Sequence, residues 1–135
     1  MRTLTAAAMG LAMILGAATH ASADCDKTAR FLVSPAGKAI AADGKVRVRA
    51  QTRTPTFVKQ NFVAEMSAAV PNGTTFMVFV NGLPAGTITI NFGVGRLALD
   101  NEGANVLPAG VNPVCAIKTV IVTDGAGNTI LSATL

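Results

Sequence analysis

The chain has 135 residues, half of them hydrophobic, with eleven Lys and Arg against seven Asp and Glu. That length suffices for one sandwich or barrel core and not for two. Tryptophan and tyrosine are absent and the single histidine is His20, so aromatic stacking platforms for nucleic acid are missing and imidazole chemistry is confined to the extreme amino terminus.

The first segment has the pattern of an export signal. Arg2 supplies a basic start, Leu4 to Thr19 form an apolar run broken by Gly10 and Gly16, and Ala21-Ser22-Ala23 places small residues at a peptidase site. The apolar run is shorter than the ~20 residues of a spanning helix. Cleavage after Ala23 is expected, with residues 24–135 as one domain in the periplasm or outside the cell. Asp24 before Cys25 does not suit lipid attachment. No later run is long enough to cross a bilayer. Loss of Arg2 leaves ten basic and seven acidic residues, a mildly basic balance that permits an anionic partner without demanding one.

Two cysteines in an exported chain are expected to pair. A Cys25–Cys115 bridge closes a loop of about ninety residues, which constrains the unfolded chain by ~4–5 kcal/mol in the chain-entropy picture. No CxxC spacing exists for a redox or zinc motif.

Ala29 to Val33 reads as a short strand ended by the turn cluster Ser34-Pro35-Ala36-Gly37, and Lys38 to Ala42 as a weak strand or loop. After Asp43-Gly44, the segment Lys45 to Arg53 alternates strictly. Val46, Val48 and Ala50 share one parity, whereas Lys45, Arg47, Arg49, Gln51 and Arg53 share the other, as in a half-buried strand with a cationic outer row. Such a row suits an anionic polymer, a lipid headgroup or an acidic protein surface. Its commoner use is to keep an edge strand from pairing with another chain.

Thr56 to Val70 alternates again and ends at Pro71-Asn72-Gly73. Thr74 to Asp100 reads as a three-stranded meander, with Asn81-Gly82 in the first turn and Gly93 and Gly95 bracketing the second. Phe76 to Val80 is apolar on both faces, which predicts a central strand. Asn101 to Pro113 is irregular, with Val106 and Leu107 expected to pin it to the core. Val114 to Thr123 reads as a strand, Asp124 to Asn128 as a hairpin loop and Thr129 to Leu135 as the last strand. About eight short strands predict an all-β chain, a single antiparallel β-sandwich of immunoglobulin-like or related type. Phe76, Val78, Val80, Ile88, Ile90, Leu97, Leu99, Val120 and Val122 form its expected core.

The run VFVNGLPAGTITINFGVGRLALDNEG, with the final hairpin VIVTDGAGNTILSATL, resembles small exported bacterial β-domain proteins. They share a strand ending in VNG, a G-T-V/I-T strand, a glycine turn and a strand ending in L-D. The resemblance covers the carboxy-terminal half and implies fold and export, with no catalytic residues to carry over.

Two function classes follow. The first is an exported, non-enzymatic binding or structural module without a cofactor. Its possible anion-binding face is Lys45, Arg47, Arg49 and Arg53. The alternative is a carboxylate-only hydrolase acting on an envelope polymer, with Asp100 and Glu102 as acid and base. The same loop, with Asn101 and Asn105, and the Asp124 to Asn128 loop also carry oxygen ligands of the kind Ca²⁺ takes, at low density. An ordinary solvated turn is the commoner explanation of such loops.

Overall fold

The computed structural model describes residues 24–135; the expected export signal and its cleavage site lie outside the described residues. Among the described residues, nine strands form two antiparallel sheets. β1 (Cys25–Arg30), β3 (Asp43–Thr54), β4 (Phe57–Ser67) and β7 (Val94–Asp100) make one sheet in the order β1-β3-β4-β7. The other runs β2-β9-β8-β5-β6, with β2 (Leu32–Val33), β5 (Thr75–Val80), β6 (Leu83–Thr89), β8 (Thr119–Thr123) and β9 (Thr129–Thr134). We refer to them as the charged sheet and the second sheet.

Period-two patterning places the core. In β3, Val46, Val48 and Ala50 are buried and the alternate residues face water. Phe62, Ala64 and Met66 of β4 meet them from the same sheet, and Phe76, Val78, Val80, Ile88, Val120, Val122 and Leu131 close the core from the other. No polar or charged residue is buried among the described residues. Of the nine expected core residues, seven are fully buried, while Leu97 and Leu99 are only partly so because β7 is an edge strand.

Four expectations need correction. The opening strand is two strands: the chain passes from β1 in one sheet to β2 in the other across the buried Phe31. Lys38 to Ala42 is neither strand nor plain loop. Pro35–Ala39 is a short helix, α1, whose first turn is capped by Ser34, the Oγ accepting from the Gly37 N–H at 2.9 Å. The meander is not one sheet. β5 and β6 pair with each other, whereas β7 crosses to the charged sheet and pairs with β4. Val114 to Thr123 does not extend throughout, because Val114–Ala116 is a 3₁₀ turn that precedes β8.

β5 lies between β8 and β6, so its second apolar row falls on the outside of the sandwich; Met77 is exposed and Phe79 half-buried there.

The long connection from Asn101 to Lys118 has little ladder of its own, so side chains satisfy its backbone. Asn101 accepts from the Gln60 N–H and donates to the Val58 carbonyl, both at 2.8 Å. Gln60 Oε1 accepts from the Val114 N–H at 2.9 Å, and Asn81 Oδ1 from the Lys118 N–H at 2.8 Å. Leu107, Val111, Val114 and Ile117 are buried beneath it, whereas Val106, expected as a second pin, is 86% exposed. This brings Cys115 to Cys25, and the two are bridged with Cα atoms 5.8 Å apart.

Replacing both cysteines by alanine is expected to lower unfolding free energy by about 2–5 kcal/mol, read as a drop in the urea midpoint. Phe62→Ala, which empties a fully buried site, is expected to cost about 3–5 kcal/mol in the same titration. An unchanged midpoint in either variant contradicts this account of the core.

Candidate functional site

β3 is an interior strand, hydrogen-bonded to β1 on one side and β4 on the other. Its cations therefore do not guard a free edge. Strict alternation does project Lys45, Arg47 and Arg49 from the outer face of the charged sheet. Arg53 stands apart from them. It is the unpaired residue of the register shift between Thr52 and Thr54, at the end of the β3–β4 hairpin. The strand between it and Lys45 spans about 26 Å at ~3.3 Å per residue.

The row is also less uniform than its sequence. Asp26 on β1 accepts from Arg47 through both oxygens, Nε to Oδ1 at 3.0 Å and Nη2 to Oδ2 at 2.8 Å, and Arg49 Nε lies 3.9 Å from the same carboxylate. The hydrogen bonds from Arg47 hold the Asp26 carboxyl below its ordinary value of 3.8 and raise the Arg47 guanidinium in turn. Two of the four expected cations are thus partly neutralised.

Register gathers others at the opposite end of the sheet. Arg30 on β1 stands opposite Lys45, Lys45 opposite Glu65 on β4, and Glu65 opposite Arg96 on β7. Four charged side chains, three of them cationic, form one cross-strand row with neighbours ~5 Å apart at Cβ. Arg30 is held by Asp43 at 2.7 Å. Asp43 also accepts from the Gly44 N–H, and these two contacts, the backbone one first, lower its carboxyl. Among the described residues, no ion pair within 4.0 Å engages Lys45, Glu65 or Arg96.

This row lines an open groove of about 750 Å³ together with Thr89, Asn91 and Val94 around the β6–β7 turn. Its chemistry suits a ligand with anionic and polar groups, since Lys45 and Arg96 present about eight N–H donors between them while Glu65 accepts. Arg30 and Arg96 were not legible as site residues. Each is an isolated cation in its own strand, and only pairing register places them beside Lys45 and Glu65.

The carboxylate pair does not assemble. Asp100 Oδ1 accepts from the Glu102 N–H at 2.9 Å and from Asn105 Nδ2 at 2.8 Å. The Asn105 bond, then the backbone one, lowers its carboxyl. The Glu102 carboxylate turns instead to Lys59, 2.6 Å away. Glu102 lines a shallow open depression with Arg53, Phe57 and Lys59, and Asp100 is not part of it. In the last hairpin loop, Asp124 accepts from the N–H groups of Ala126 and Asn128 and from Asn128 Nδ2. The Asn128 side chain is the largest cause of its lowered carboxyl. Both loops are turns closed on their own carboxylates, and no group of three or more His, Cys, Asp or Glu stands ready to hold a metal among the described residues. No protein-family model, curated protein or solved structure matches the chain.

Asp26, Asp43, Asp100 and Asp124 all carry lowered carboxyls. Each therefore binds a proton more readily unfolded than folded, and the stability they contribute is present above the unfolded value and lost as pH falls through the folded one. With no histidine in residues 24–135, the urea midpoint is expected to stay flat from pH 7 to about 5 and to fall below about 4. Asp124→Asn is expected to flatten part of that acid limb. A midpoint that rises on acidification contradicts the assignment.

Proposed function

We propose that this protein is an exported, non-enzymatic binding module whose charged sheet engages an anionic polymer or surface of the cell envelope. The observation that carries the reading is the cross-strand row Arg30, Lys45, Glu65, Arg96, which brings three cations from three strands to one groove. Holding unpaired cations close together raises the local potential and brings the fold no ion pair in exchange, since neither Lys45 nor Arg96 forms one among the described residues. The bridge between Cys25 and Cys115 supports export, because such bonds persist in oxidising compartments. No helix among the described residues is long and apolar enough to cross a membrane. The hydrolase reading finds no support in the Asp100–Glu102 loop, whose carboxylates serve separate structural partners.

The test is binding to a soluble polyanion such as polyphosphate across a salt series. Lys45→Gln with Arg96→Gln, which removes both charges without placing a like charge opposite Glu65, is expected to weaken binding at least about tenfold with the urea midpoint little changed. Wild-type binding is expected to weaken steeply above ~0.15 M salt, where the Debye length is ~8 Å. Arg53→Glu, about 26 Å from Lys45 by strand rise, is expected to have little effect. Wild-type affinity in the double variant at low salt overturns the reading.

A further inference from the structure

Two turns of this chain share one geometry and differ in one residue. Asn81-Gly82 joins β5 to β6 with both residues at positive φ, +50° and +80°. Phe92-Gly93 joins Asn91 to Val94 in the same way, at +52° and +81°, with Asn91 and Val94 exchanging backbone hydrogen bonds of 2.9 and 3.2 Å. This is the two-residue hairpin turn whose first position favours Asn, Asp or Gly, because a bulky side chain is strained at positive φ. Asn81 meets that preference, and its Oδ1 is used to anchor Lys118 and Thr119.

Phe92 defies it twice. Its backbone sits in the left-handed region, and the residue is 91% exposed. The conformation is over-determined from outside: the Phe92 N–H donates to Asn72 Oδ1 at 2.7 Å, and the Gly93 carbonyl accepts from the Ala68 N–H at 3.0 Å. Strain held in place by its surroundings, at a residue that contributes nothing to the core, points to a role in what the side chain presents. Val94, two residues on, is 60% exposed and lines the groove together with Lys45 and Arg96.

We propose that the Phe92 turn and the adjoining cationic groove form a peripheral docking site for an anionic lipid surface, with Phe92 and Val94 entering the headgroup region and Lys45, Arg96 and Arg30 meeting lipid phosphates. This rests on the anion-binding reading above and names its ligand class. A lipid surface suits the geometry better than a protein partner. Phe92 protrudes from a convex turn, and a protein must supply a matching pocket and roughly 800 Å² per side for a stable complex. The exposed apolar patch here is only Phe92 and Val94. A bilayer interface receives a projecting ring without shape complementarity, and interfacial binding grows with the apolar area inserted and with the attraction of basic side chains to anionic headgroups. Glu65 and Asp43 line the same groove, so attraction depends on the cations being nearer the surface than the acids, and binding is weak and salt-sensitive.

The experiment uses the protein with vesicles of phosphatidylcholine alone or with phosphatidylglycerol added, and polyphosphate as the soluble control. Wild type is expected to sediment with the anionic vesicles and not the neutral ones. Phe92→Asn is expected to raise the melting temperature, since it restores the preferred turn residue, while weakening vesicle binding at least about tenfold and leaving polyphosphate binding intact. Phe92→Trp introduces a lone tryptophan into a chain that has none. The emission of that variant is expected to shift to the blue on anionic vesicles and not with polyphosphate. If Phe92→Asn binds vesicles like wild type, or the emission of Phe92→Trp does not move, the lipid inference fails while the polyanion reading stands. If wild type binds polyphosphate and no vesicle, the same conclusion holds. If it binds neither, both readings fall together.

Discussion

The close approach of β6 to β7 is the constraint on which the rest of this structure turns. The chain must leave one sheet and enter the other through the turn from Asn91 to Val94, and then run back along the strand it has just left. That path is possible because residue 95 has no side chain; a Cβ there would collide with the Thr89 carbonyl oxygen and with the Ile88 side chain. The crossing fixes β7 against β4, with Ser67 opposite Val94 and Asn61 opposite Asp100. It therefore also fixes Arg96 opposite Glu65. Geometry chosen by backbone clearance thus determines which charges share a groove.

Another crossing, β1 to β2 through Phe31, closes the sandwich on its other side. Five connections change sheet in all, β1–β2, β2–β3, β4–β5, β6–β7 and β7–β8, so the sheets are joined by chain as well as by core. The Cys25–Cys115 bridge adds a covalent tie at the start of β1. These ties matter because the core is built without tryptophan or tyrosine, and the large aromatic burial that often dominates small sandwiches is supplied here only by phenylalanine. Phe31, Phe62 and Phe76 are buried, whereas Phe92 stands on the surface.

How much of this was legible depended on whether the deciding signal was local. Strand existence was local: Val46, Val48 and Ala50 against Lys45, Arg47 and Arg49 define a face by parity alone. The Cys25–Cys115 pair followed from an even count of two and the expectation of export. Sheet membership was not local, because β6 and β7 look like neighbours in a meander and nothing in Thr74 to Asp100 states that the second turn changes sheet. Ser34-Pro35 did carry a helix-start signal, a capping hydroxyl before a proline at the first helical position, that a reading as turn passed over. Val114 to Thr123 has the β-branched content of a strand, but the backbone at its start is claimed by Gln60 across the sandwich. Of the four residues in the cross-strand row, one was visible as a site residue. Lys45 was found by alternation, whereas its partners Arg30, Glu65 and Arg96 share no pattern until register aligns them.

The disposition of the acids bears on what chemistry the surface can perform. Of seven carboxylates, six have structural partners. Asp24 accepts from Thr52, Asp26 from Arg47, Asp43 from Arg30 and Gly44, Asp100 from Glu102 and Asn105, and Asp124 from its own loop, while Glu102 pairs with Lys59. Glu65 is the remaining one, and the residues across from it are both cations. Two-carboxylate hydrolysis needs one acid kept protonated beside another kept ionised. The other carboxylate of that groove, Asp43, is taken by Arg30 and the Gly44 N–H, so Glu65 between Lys45 and Arg96 has no such counterpart. What that arrangement does offer is a spacer: Glu65 limits the repulsion that would otherwise splay Lys45 and Arg96, so that two cations can be held on the strands flanking β4 and face the same groove. An acid in that role makes a cationic site tolerable to the fold without cancelling it.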